Sequence, residues 1–376
     1  MHAQVLLQPW PALLFAAFQL VSAQCANGQA QKPQFPAPAL SEQAAQETSS
    51  QSKAELQIGI ALTRSGKFVE AIPHLLAARG HVSNEYAAEF DLALCFVGTG
   101  ESKKAIPILL GLRNQGHENA DVESLLSQAY SGNDEPKKAF EAFQKAAAFT
   151  PKDEKLYLLI AAAFLERQEY PLGVRVVQSG LQQLPESARL HYEMGYALWQ
   201  IDESGLAKPE FERATSLAPH SAIGYLAAAQ ESFMLGSLPQ AAQVARAGIR
   251  EGFADYQLLA LLGDALIQDG ASPGQPQFSE AKDALEKSIA ARPNYASSQV
   301  ALGRLLLEEG SVDAAIEHLE LGRQLGPQNP APYMLLATAY RKRGQLEQAR
   351  AMLAMVAKLN EAQTEKRRQA ADEDHE

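Results

Sequence analysis

From residue 52 onward the chain carries a pattern of small and large apolar positions that returns every 34 residues. Leu302-Gly303, Leu306, Gly310, Ala315 and Leu319 reappear one unit later as Leu336-Ala337, Tyr340, Gly344, Ala349 and Leu353. One unit earlier they are Leu262-Gly263, Leu266, Gly270, Ala281 and Leu285. Nine units keep one phase, beginning at 52, 86, 120, 154, 188, 222, 256, 296 and 330. The unit from 256 alone is longer, by six residues, and the excess falls in the Pro/Gly-rich loop 271–277. The eighth and twentieth positions are small in every unit, for example Gly195 with Ala207 and Gly303 with Ala315. Two helices approach closely only where neither carries a bulky side chain, so these positions predict the contact within a helix hairpin. Large residues such as Phe96, Tyr130, Phe164 and Leu306 hold the eleventh position and predict packing between neighbouring units. Gly66, Gly100, Gly236, Gly270, Gly310 and Gly344 predict the end of each first helix. Pro151, Pro185, Pro219, Pro293 and Pro327 predict the close of each second helix.

This combination of period, phase and residue size resembles the tetratricopeptide repeat, over residues 52 to about 360. The resemblance implies an all-α fold: a right-handed α-solenoid superhelix of about nine antiparallel helix-turn-helix units. One departure is that no unit has the Trp often found at position four, which holds Glu, Tyr, His, Leu or Gln here. The unit from 222 is the loosest, with Ala228, Ser232 and Ala245 where other units carry larger side chains, and the lowest local stability is expected there. Ser52 and Glu55 read as a capping box opening the first helix. Residues 364–376 read as a charged cap and tail beyond a solenoid spanning 52–363.

Ahead of the repeats, residues 12–21 form an apolar run too short to span a bilayer, ending in Val21-Ser22-Ala23. Small side chains there suit a signal peptidase, so residues 1–23 read as a cleaved export signal, although no Lys or Arg precedes the run. That makes the protein exported, periplasmic or secreted if its source is bacterial. Residues 24–51, rich in Gln, Ala, Pro and Ser, read as a disordered linker. Cys25 follows the apolar run, but Gln24 stands where a lipid-modified cysteine prefers a small neighbour. Membrane association is therefore expected only if Cys25 is lipidated. Cys95 falls on an apolar helix and reads as a core residue.

A net charge of −11 argues against nucleic acid as a partner. His74, His81, His117, His191, His220 and His318 are scattered over different units without metal-ligand spacing. His191 and His220 read as helix-surface or turn residues. Gly98-Thr99-Gly100 is an inter-helix turn and no phosphate loop, and no Gly-x-Ser-x-Gly elbow occurs. No catalytic residue, cofactor or metal site is expected, and the chain is read as a non-enzyme.

The resemblance also implies where binding takes place. In the family, positions two, five, nine, twelve and thirteen of each first helix line a groove. Here they give an apolar stretch of Phe90, Leu94, Leu158, Tyr192, Tyr196, Trp199, Leu226, Phe233 and Met234. Tyr192, Tyr196 and Trp199 share one helical face by their spacing, and aromatic and Met side chains are common anchors at recognition surfaces. A helical stripe of this kind also suits a core, so both readings stand at this point. The expected function is a protein–protein interaction scaffold or adaptor that takes a peptide or helix of a partner protein. The alternative is a substrate-recruiting or regulatory subunit of an envelope enzyme, secretion or assembly complex.

Overall fold

A computed structural model describes residues 39–373, with side chains from 50 to 365. The described residues form eighteen α-helices and no strand. The chain divides into two compact units, Met1–Ile160 and Ala161–Glu376. The first contains α1 (Ala39–Arg64), α2 (Phe68–Ala78), α3 (Glu85–Gly98), α4 (Ser102–Asn114), α5 (Ala120–Gly132) and α6 (Pro136–Phe149), and the division falls inside α7 (Glu154–Glu166). The second continues with α8 (Tyr170–Gln183), α9 (Ala188–Gln200), α10 (Ser204–Leu217), α11 (Ala222–Met234), α12 (Leu238–Arg250) and α13 (Tyr256–Gln268). It closes with α14 (Pro276–Ala291), α15 (Ala296–Glu309), α16 (Val312–Leu325), α17 (Pro330–Lys342) and α18 (Leu346–Glu373). These are nine helix pairs in the phase of the sequence repeat.

The small positions act as the pattern predicts. A Cβ added at Gly303 would lie 2.5 Å from Leu319 Cγ and 3.3 Å from the Ala315 carbonyl oxygen, so glycine is what admits both. In α5 the same eighth position is Ser127, whose hydroxyl donates to the Ala139 carbonyl across the hairpin at 2.7 Å. The turn after each first helix is left-handed in all nine pairs. Glycine supplies it in six, with φ from +73° to +93°, while Asp134, Gln168 and Asp202 adopt φ of 58°, 59° and 66° in the other three. Entry into the first helices is fixed by side-chain caps. Asn84, Asn119, Ser187, Ser221, Asp255 and Asn329 each accept a backbone N–H of the following turn.

Position four, where the family's Trp is missing, has a polar task in several pairs. The Tyr157 hydroxyl donates to the Pro151 carbonyl at 2.8 Å, Gln299 Nε2 to that of Pro293 at 2.8 Å, and the Tyr333 hydroxyl to that of Pro327 at 3.0 Å. His191 does the same through Nε2 at 3.0 Å from the Pro185 oxygen, while its Nδ1 lies 2.6 Å from Glu210. His191 is thus locked between two helices and a turn, not a free surface residue. His74 with Glu55, at 2.6 Å, and His318 with Gln299, at 2.7 Å, repeat the link within their own pairs. Burial lowers the His318 pKa, which suits a neutral ring donating from Nδ1 to the Gln299 oxygen. His74, His191 and His318 are therefore structural stitches.

Two expectations at the start of the repeats need correction. Helix α1 begins at Ala39, so residues 39–51 are helical and not a disordered linker. Few large apolar residues occur in this stretch, but a helix already nucleated further along is extended readily by Ala, Gln and Glu. Ser52 consequently lies inside α1 and is buried, and Glu55 serves His74, so the two do not form a capping box. At the other end α18 runs unbroken to Glu373, so the charged segment from 364 continues the last helix. The reading of 1–23 as an export signal, the stretch 24–38 and Cys25 lie outside the described residues.

Candidate protein-binding face

In the first unit, Phe90 is buried and stacks on Tyr86 with ring centroids 5.7 Å apart, so it belongs to the packing. Leu94 and Leu158 are half-buried.

The second unit carries the aromatic stripe. Phe211 of α10, fully buried, holds the Tyr192 ring of α9 at 5.9 Å. Tyr192 stacks on Tyr196 at 6.4 Å, Tyr196 meets Trp199 edge-on at 6.0 Å, and Trp199 meets Phe233 of α11 edge-on at 6.0 Å. The ladder runs from core to surface. Tyr192 and Leu226 are buried and are corrected from lining residues to supports. Tyr196, Trp199, Phe233 and Met234 are half-buried and form the accessible part. Edge-to-face pairs of this kind fix ring orientation, at about 0.5–1.5 kcal/mol each beyond area burial. The three aromatic side chains Tyr196, Trp199 and Phe233 are thus preorganised, which lowers the entropy cost of receiving a partner.

A polar neighbourhood joins the stripe and was not foreseen from the repeat positions. Arg189 of α9 pairs with Glu193 at 3.0 Å, donates to Gln257 of α13 at 2.9 Å, and lies 5.4 Å from the Tyr192 ring centre. The hydrogen bond to Gln257 links α9 to α13, two pairs further along the chain. Arg292 sits over the rings of Tyr256, at 4.6 Å, and Tyr295, at 5.9 Å, and donates to the Tyr256 hydroxyl. Burial pushes the Tyr295 hydroxyl up to about 12 and raises those of Tyr192 and Tyr196 as well, so all three stay neutral donors. Burial also pushes Glu166 up to about 7, against the pull of Arg292, and Asp264 up to about 6, against that of Arg304. Asp264 and Arg304 share a cavity of about 190 Å³ with Gln268, Ser297 and Asn329. These groups offer hydrogen bonds and single charges of both signs. The non-local contacts, such as residues 189 and 257, were not legible because a linear repeat does not specify which units approach each other.

No group of three or more His, Cys, Asp or Glu side chains among the described residues is placed to hold a metal ion. Cys95 is buried, its sulfur 3.2 Å from the Thr63 hydroxyl, and burial pushes its thiol up to about 12, which makes it inert at neutral pH. No helix among the described residues is long and apolar enough to cross a membrane.

Residues 188–221, 274–330 and 306–365 each match a tetratricopeptide-repeat family model. Among solved structures, yeast Tom70 is 15% identical, covering 89% of this chain and 85% of its own, with a TM-score of 0.50. A tetratricopeptide-repeat protein from Parabacteroides merdae is 18% identical, covering 68% of this chain and 98% of its own, with a TM-score of 0.49. At 15% identity the likeness to Tom70 concerns the fold alone. No curated protein matches the chain. With nine helix pairs in one phase, small contact positions and matches to three repeat models, the chain is a tetratricopeptide-repeat protein.

Proposed function

We infer that this chain has a binding role, because tetratricopeptide-repeat proteins bind protein or peptide partners and the fold generally serves as a non-catalytic interaction scaffold. We propose that this protein acts as such a scaffold through the inner stripe of its second unit, taking an apolar peptide segment or helix on Tyr196, Trp199, Phe233 and Met234. The observation that carries this reading is the ladder itself: three large, half-buried aromatic anchors, Tyr196, Trp199 and Phe233, linked ring to ring back to buried Tyr192 and Phe211, with half-buried Met234 next to Phe233 in the chain. Rigid aromatic anchors are where binding energy concentrates. The Arg189, Tyr256, Tyr295 and Arg292 groups beside them supply hydrogen bonds to a peptide backbone. A displayed peptide library selected on the purified protein tests this. Enriched peptides should share apolar anchors at helical or alternate spacing, bind at least tenfold more weakly to Trp199→Ala, and bind Gln243→Ala unchanged. Enriched peptides indifferent to Trp199→Ala would overturn it.

We further propose that the scaffold works in the exported space or cell envelope, on the strength of the apolar run 12–21 and the small residues at 21–23. Mass spectrometry of the protein from its native cells, fractionated, should find a mature chain starting near Gln24 outside the cytoplasm. An intact amino terminus in the cytoplasmic fraction would contradict this.

A further inference from the structure

Between pairs a second helix packs on the first helix of the following pair, and three junctions show the register. Ser288 of α14 meets Ser298 of α15, hydroxyl to hydroxyl, at 2.7 Å. At the equivalent place a Cβ on Gly248 of α12 would lie 2.9 Å from Leu258 of α13. Three residues earlier in the second helix, Phe143 meets Tyr157 ring to ring at 6.0 Å. These positions are buried wherever a neighbour follows. Leu75, Leu109, Val177, Leu285 and Leu319 all occupy the place of Phe143.

At the two ends the same positions are open. Leu353 of α18 stands in the place of Phe143 and is 49% exposed, with Leu346 also exposed. On α1, Ala54, Ile58 and Ala61 occupy the positions of Ala88, Leu92 and Cys95 in α3, which are all fully buried. Ile58 is 44% exposed, and Ala54 and Ala61 are exposed beside it. No polar replacement caps either seam at Ile58 or Leu353.

The end helices are also matched in length. Carrying the internal register over places Val356 of α18 on Ala54 of an α1, antiparallel. Counting outward, Leu346 comes opposite Arg64, where α18 begins and α1 ends, and Ala371 comes opposite Ala39. Helices α1 and α18 have 26 and 28 residues, whereas α16 and α17 have 14 and 13. Such a pair would run for roughly 40 Å, against roughly 20 Å at an internal junction, from the 1.5 Å rise per residue.

From the shared seam and the matched overrun we infer that a second copy of this chain docks head to tail, its α1 lying on α18 as each first helix lies on the second helix before it. Such a contact is heterologous: each copy uses one end as donor and the other as acceptor, so association continues beyond two copies. It uses neither the aromatic stripe nor its partner and stands or falls independently of them.

Sedimentation velocity on the full-length protein over a dilution series tests it. The wild-type average mass should rise with concentration past that of a dimer. Ile58→Asp alone and Leu353→Asp alone should stay monomeric, with unchanged circular dichroism, because both side chains are exposed. An equimolar mixture of the two variants should stop at a dimer, since one intact head and one intact tail remain. Disulfide capture provides a second measurement without charged substitutions. In a Cys25→Ser background, Ala54→Cys and Val356→Cys proteins should cross-link when mixed and not separately. A wild-type protein that stays monomeric up to about 100 μM would overturn the inference. So would association lost in Leu353→Asp but kept in Ile58→Asp, or mixed cysteine variants that fail to cross-link.

Discussion

Phe211 is the residue on which the binding stripe rests. Its side chain is fully buried, touches Tyr192 at a ring separation of 5.9 Å, and fills the space left by Gly195, whose added Cβ would stand 2.9 Å from the ring. Truncation to Ala removes a whole ring from a site bordered by Gly195 and Ala207, neither of which has a side chain able to move in. Phe→Ala changes in cores cost about 3–5 kcal/mol, and poor collapse puts this one at about 4 kcal/mol. Because a repeat array gains stability pair by pair, a single melting temperature would blur the effect. Amide hydrogen exchange localises it. Slow amides of α9 and α10 should exchange faster by up to about a thousandfold, at 1.4 kcal/mol per factor of ten, while those of α3 and α4 stay as they were. Phe149, 51% exposed, is the internal control, and Phe149→Ala should cost under about 1 kcal/mol. A loss below about 1 kcal/mol for Phe211→Ala, or a loss spread evenly over all pairs, would refute the claim that this ring supports the stripe locally.

Three further outcomes are expected. Exchange should be fastest, among slow amides of the second unit, in α11 and α12, where Ala228 and Ala245 leave little side-chain packing; protection equal to that of α9 and α10 would contradict this. Gln168 holds a left-handed conformation, φ 59°, without the short polar side chain that tolerates it, so Gln168→Gly should stabilise its pair by up to about 1 kcal/mol in chemical denaturation, and a loss would mean that the side chain contributes more than the strain costs. The third concerns pH. Glu166, raised to about 7, and Asp264, raised to about 6, bind protons more tightly folded than unfolded. Their stabilising effect is therefore complete below about pH 4, the ordinary carboxylate range, and lost as pH rises through 6 and 7. The double variant Glu166→Gln, Asp264→Asn should gain stability relative to wild type at pH 8 and show a flatter dependence between pH 5 and 8; an unchanged slope would disprove the raised values.

The architecture was legible because a repeat protein writes each contact many times. Gly195, Gly303 and Ser127 share one position, and only the close approach of two helices explains why all are small. Other features escaped the linear reading for identifiable reasons. Helical residues 39–51 carry little large apolar surface of their own and borrow nucleation from the packed part of α1. His191 looked like a surface residue because its partners, Glu210 and the Pro185 carbonyl, are set by the hairpin fold. Within the stripe, spacing placed Tyr192, Tyr196 and Trp199 on one face but did not reveal that Phe211 buries the first of them. Arg189 meets Gln257 two repeats away, a contact absent from any single repeat and therefore not readable from the repeat pattern.

Site-specific photo-crosslinking tests the central claim most directly. A photoreactive amino acid replaces Trp199 in one protein and the exposed Gln243 of α12 in another, and both are expressed in the native cells. Binding through the aromatic stripe predicts a defined protein species captured from position 199 and not from 243. Capture from 243 alone, or from neither position, would make Trp199 and its neighbours structural and remove the stripe as the binding face.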